Sequence, residues 1–121
     1  MIEIICFIGI GGFFGAISRY WVSQQLGKLN VKLPIATFVV NIVGSFLLGL
    51  IIGSHLSERI TVLFGTGFMG AFTTFSTFKL DIIKLLDKKE QKVAILYIVM
   101  TYILGICSAW IGLLIGNYFT Q

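Results

Sequence analysis

Four long apolar runs, approximately residues 2–26, 33–53, 60–86 and 93–119, account for most of this 121-residue sequence. Each meets the roughly 20 residues that a helix needs to cross the hydrocarbon core of a bilayer. With 57% hydrophobic residues and a single proline, the chain is too apolar to stay soluble as a monomer. The sequence therefore predicts one all-α integral membrane domain of four transmembrane helices. No soluble domain is left over, so any activity is carried out inside or across the membrane. The first run lacks a basic segment ahead of it and a small-residue cleavage site, and reads as a retained helix rather than a signal peptide. Cys6 and Cys107 both fall inside runs and suggest small packing residues, neither a disulfide framework nor a metal site.

The third run is not plain anchoring material. Between Gly65 and Phe78 it reads Gly-Thr-Gly-Phe-Met-Gly-Ala-Phe-Thr-Thr-Phe-Ser-Thr-Phe, with three glycines and five hydroxyl residues in fourteen positions. Glycine loosens a helix, and Ser or Thr can rebond the backbone groups that are released, so this stretch predicts a break in mid-membrane. A break at that depth commonly builds a binding site. Phe72, Phe75 and Phe78 recur every third residue, which puts Phe75 and Phe78 on nearly one face of the helix that resumes, beside the hydroxyls of Thr74, Ser76 and Thr77.

Three further features accompany the break. In the first run Gly9, Gly11, Gly12 and Gly15 form a small-residue cluster suited to close helix packing. Arg19 follows about 17 helical residues, roughly 26 Å of rise, and so falls near a membrane boundary. It reads either as a snorkelling anchor or as a cation that gathers anions at a vestibule. In the second run Pro34 suits a first helical turn, and Thr37, Asn41 and Gly44 or Ser45 lie along one stripe. Asn41 has two readings, interhelical glue or a pore-lining donor. In the fourth run Tyr97, Thr101 and Gly105 repeat at a spacing of four, near Tyr102 and Ser108, and Trp110 and Tyr118 are spaced as an interfacial belt. His55, in the second connection, reads as a solvated loop residue.

Charge sets topology. Lys28 and Lys32 lie in the first connection and Lys79, Lys84, Lys88, Lys89 and Lys92 around the third, against Arg59 on the other face. The positive-inside rule then predicts both termini outside and the lysine-rich connections in the cytoplasm. The net charge of +4 is accounted for by this asymmetry and implies no nucleic-acid partner. No Asp or Glu lies deep in a run, which argues against the alternative of a small four-helix multidrug or cation exporter that exchanges protons with its substrate. No nucleophile and base pair, ligand cluster or phosphate loop is present, so no enzyme is expected.

Taken together, Gly11-Gly12-Phe13-Phe14-Gly15-Ala16 with Arg19-Tyr20, Thr37 through Asn41 with Gly44-Ser45, and Gly67 through Phe78 resemble the signature blocks of the Fluc (CrcB) fluoride channels. The resemblance runs through all four spans, and its Thr-Thr-Phe-Ser-Thr-Phe block is highly specific. It implies an antiparallel dimer of four-helix subunits in the cell inner (plasma) membrane, with two narrow pores through which cytoplasmic fluoride leaves passively, around a structural Na+ ion. On this reading the backbone carbonyls of Gly70 and Thr73 hold the sodium, Phe75 and Phe78 line the pores, and Asn41 belongs to a polar track. Thr37, Tyr97 and Thr101 match track positions by spacing, with Ser76 and Thr77 beside them. Gly105 stands where the family commonly has a serine. An antiparallel homodimer needs dual topology, whereas seven connection lysines on one side predict mainly one orientation. The expected partner is thus a second copy or a homologous chain of opposite bias.

Overall fold

The computed structural model describes residues 1–29 and 31–120. It is all-helical among those residues: α1 (Ile2–Leu26), α2 (Ile35–Gly53), α3 (Glu58–Ile60), a π-helical segment (Thr61–Met69), α4 (Gly70–Phe72), α5 (Ser76–Asp87) and α6 (Gln91–Thr120). Four helical stretches are long and apolar enough to cross a membrane, Ile2–Leu26, Ile35–Gly53, Glu58–Asp87 and Gln91–Thr120. The chain is a multi-pass membrane protein with a broken third span. Pro34 stands one residue before α2 as its cap rather than inside the first turn, since its ψ of 79° is not helical.

Two glycine-mediated contacts assemble the bundle. α1 packs along the π-helical segment and α4, because Gly11, Gly15 and Gly67 bring backbone against backbone: a Cβ on Gly11 would strike the Leu63 carbonyl, and one on Gly15 the Phe68 carbonyl. α2 packs along α6 in the same way, with Gly49 against the Ala109 carbonyl and Gly112 against the Phe46 carbonyl. Such close approach maximises dispersion where lipid offers no hydrophobic drive. Ile5, Phe14, Trp21, Ile95, Ile106 and Trp110 remain exposed on α1 and α6, as side chains facing acyl chains require.

Two core clusters flank the break. Val40, Met69 and Phe72 join α2 to the upper part of the third span, while Phe78, Leu85, Ala94 and Tyr97 join α5 to α6. The ends of the bundle are tied separately. Arg59 pairs with Glu3 at 3.1 Å, and His55 hydrogen-bonds Asn117 at 3.0 Å, so the N-terminus, the second connection and the C-terminal end of α6 meet. Lys32 pairs with Glu90 at 3.1 Å and joins the first and third connections at the opposite end. His55, expected as a solvated loop residue, is exposed but has this partner.

Candidate functional site

The third span comes apart at Thr73–Phe75, eight residues past the first glycine of the stretch that predicts a break. The glycines do not form it. Gly65 and Gly67 are π-helical and Gly70 opens α4; Gly67, pressed against α1, serves close packing instead. The Thr73 N–H still donates to the Met69 carbonyl at 3.0 Å, but Thr73 is extended, with φ −83° and ψ 159°. The chain leaves the helix there.

Asn41 of α2 takes over the polar groups that are released. Its Nδ2 donates to the Thr74 carbonyl at 2.9 Å, and its Oδ1 accepts from the Thr74 N–H at 2.9 Å. One side-chain amide thus pairs with both backbone groups of one residue, as a buried backbone outside a helix demands. At the start of α5 the Thr77 N–H donates at 3.2 Å to Oγ1 of Thr74, one residue ahead of the helix's N-cap Phe75. Gly44 lets the break approach α2, because a Cβ there would collide with the Thr73 methyl group. The two readings of Asn41 are therefore not exclusive: its amide holds the break, and it lines the cleft beside it.

Two helix ends face each other across residues 73–75. The segment ending at Phe72 presents carbonyls, the negative end of its dipole, and α5 presents amides, the positive end. The carbonyls of Gly70 and Thr73 would ordinarily accept from the amides of Thr74 and Thr77. Those amides are bound to Asn41 Oδ1 and Thr74 Oγ1 instead. Gly70 is exposed, with open space where a Cβ would be. Backbone carbonyl oxygens of this kind are hard ligands and fit a hard cation such as sodium.

Two cavities meet at Thr74. The larger, about 250 Å³, is a cleft lined mainly by Asn41, Ser45, Thr73, Phe75, Phe78 and Thr101. The smaller, about 200 Å³, holds Arg19, Tyr20, Ser23, Thr37 and Thr77 on the other side of the break. Thr101 is one of the cleft's lining residues, and its hydroxyl is buried without a hydrogen-bond partner among the described residues. Among the described residues no charged side chain lines that cleft.

A family model described as CrcB-like protein, Camphor Resistance (CrcB), matches residues 6–113. The chain belongs to the CrcB family. A fluoride-specific ion channel FluC 2 of Bacillus thuringiensis subsp. konkukian (strain 97-27) is 52% identical over 118 residues, covering 97% of this chain and 99% of that one. A fluoride-specific ion channel FluC 1 of Geobacillus kaustophilus (strain HTA426) is 43% identical over 111 residues, 92% of this chain and 96% of the relative. A FluC 1 of Listeria monocytogenes serotype 4b (strain F2365) is 42% identical over 110 residues, 90% and 93%. These relatives are named as ion channels, a non-enzymatic class.

Within this CrcB chain the expected site residues separate. Asn41, Thr73, Phe75, Phe78 and Thr101 share the cleft, whereas Thr37, Thr77 and Arg19 share the smaller cavity. Arg19 is half-buried there because α1 continues beyond it to Leu26. Phe75 and Phe78 have ring centroids 5.9 Å apart, yet Phe78 is 4% exposed and Phe75 62% exposed; α5 starts only after Phe75, so their helical register is incomplete. Tyr97 lines neither cavity. It is fully buried, packs its ring at a tilt against Phe78 with centroids 5.0 Å apart and donates to Asp81 Oδ2 at 3.4 Å. Ser76 is exposed at the start of α5. Thr74 is the residue that sequence reading undervalued. Its role follows from Asn41, 33 positions away, and only the repeated hydroxyls signalled it.

Proposed function

We propose that this chain is a subunit of a fluoride-selective channel through which cytoplasmic fluoride leaves passively. The observation that carries the reading is the uncharged cleft at the break, lined by Asn41, Phe75, Phe78 and Thr101, with the unpartnered Thr101 hydroxyl buried just behind that wall. Fluoride is small and strongly hydrated, so a path must replace its water with good donors, and a fixed positive charge would trap it. Asn41 and Thr101 supply donors. Phe75 and Phe78 supply positive ring edges on an otherwise apolar wall that disfavours larger hydrated anions. The names of the relatives support the same ion. Purified protein in liposomes should release fluoride and retain chloride; equal rates for both anions would refute selectivity. Phe75→Ile and Phe78→Ile should each slow fluoride efflux about tenfold or more, the loss of roughly one aromatic edge contact at the barrier. Wild-type efflux in both variants would remove the two rings from the path.

The functional unit we propose is an antiparallel dimer with two pores. Gly70 and Phe75, both exposed on one chain, are positions that a partner would cover. The carbonyls of Gly70 and Thr73 would hold Na+, and its charge would lower the electrostatic cost of an anion passing nearby. Lys28, Lys32, Lys88 and Lys89 lie in the connections at one end, Lys84 in the last turn of α5 and Lys92 at the start of α6. Lys79 is further inside α5, over the Phe75 ring at 5.7 Å. Even without Lys79 the imbalance favours one orientation, with the termini outside and a homologous partner inserted the other way. Single cysteines added to either terminus, in a chain carrying Cys6→Ser and Cys107→Ser and expressed alone, should label from outside the cell. Equal labelling from both sides would restore a dual-topology homodimer.

A further inference from the structure

We infer that Asn41 and Thr74 are positioning residues of the cation site, each holding open one of its two carbonyl ligands. The inference rests on the sodium reading above. In an unbroken helix the Gly70 carbonyl accepts from the Thr74 N–H, and the Thr73 carbonyl from the Thr77 N–H. Each amide is intercepted by a side-chain oxygen: Asn41 Oδ1 takes that of Thr74 at 2.9 Å, and Thr74 Oγ1 takes that of Thr77 at 3.2 Å. The correspondence is one to one. An amide left without its interceptor would be an unsatisfied donor at membrane depth, and the carbonyl four residues before it is the nearest acceptor that helical geometry offers. Forming that bond turns the carbonyl oxygen along the helix axis and withdraws it from a cation. Asn41 accordingly serves both halves of the proposed function: it is a wall of the anion cleft, and its Oδ1 keeps the cation ligand free.

The test is the Na+ dependence of thermal stability of the purified, detergent-solubilised protein, read against N-methylglucamine chloride at the same ionic strength. A ligand that binds only the folded state raises the melting midpoint with its concentration. The wild type should show such a rise. Asn41→Leu and Thr74→Val remove one interceptor each, and the Na+ concentration for half the maximal rise should increase about tenfold or more, the cost of a carbonyl engaged in its own hydrogen bond. Thr74→Ser keeps an Oγ acceptor and should retain the wild-type Na+ response. Asn41→Asp also keeps an acceptor for the Thr74 N–H and adds a negative charge that attracts a cation, so its Na+ response should be at least that of the wild type even though its flux is blocked. Wild-type Na+ dependence in Thr74→Val and Asn41→Leu would overturn the inference. No Na+ effect on the wild type would overturn the sodium reading itself and this inference with it, while leaving the fluoride-flux measurement to stand or fall separately.

Discussion

Asn41→Asp is expected to reduce fluoride flux roughly a thousandfold: at about 4 Å and an effective dielectric of 20, two unit negative charges repel by about 4 kcal/mol, and each 1.4 kcal/mol is tenfold in rate. The carboxylate would stand in a cleft that has no cationic side chain on its walls, among the described residues, to compensate it. It also loses the Nδ2 donor, so that two acceptors face each other across the 2.9 Å now bridged to the Thr74 carbonyl. That second effect costs about 1–3 kcal/mol of local stability. The repulsion therefore decides the outcome: the protein should remain assembled and stop conducting. Proteoliposome efflux together with size-exclusion elution separates the two effects. Undiminished flux from a correctly eluting protein would leave Asn41 as structural glue alone.

Gly15→Val should prevent stable assembly of the bundle, as should Gly11→Val, each costing about 3 kcal/mol or more through overpacking. The added Cβ meets backbone carbonyls, those of Phe68 and Leu63 respectively, and a backbone atom has no rotamer to escape into. α1 must then lift away from the π-helical segment and α4, which are its main packing partners. Gly9 offers a control on the same helix, because nothing lies within 4 Å of a Cβ there. Gly9→Val should keep the wild-type melting midpoint in detergent. A wild-type midpoint for Gly15→Val would mean that the α1 contact is looser than its glycines require.

Much of the architecture was legible because it depends on composition over long windows. Apolar runs of about 20 residues are explained only by the bilayer, and the four spans follow from them. The disturbed third span was likewise visible in the density of glycine and hydroxyl residues between Gly65 and Phe78. What misled was the assignment of cause. Glycines in a helical run permit either a break or a close approach, and local sequence does not distinguish the two. Here Gly65 and Gly67 stay helical, Gly67 against Gly11 and Gly12, and the chain breaks at Thr73–Phe75, eight to ten residues after Gly65.

Sequence by itself determined the membrane class, the helix count, the charge asymmetry of the two ends and the identities of Asn41, Phe75 and Phe78 as residues set apart, since each follows from what a side chain costs or contributes in lipid. Only the tertiary structure decided where the third span breaks and what holds it open. The one local help Thr74 has in leaving a helix is its Oγ1, which takes the Thr77 N–H, and that leaves its own N–H and carbonyl unpaired. The break holds because Asn41, from another helix, satisfies that N–H and carbonyl together, and because Gly44 leaves room for Thr73 to approach. A buried backbone group accepts the partner that proximity provides, and that partner lies 33 residues away along the chain.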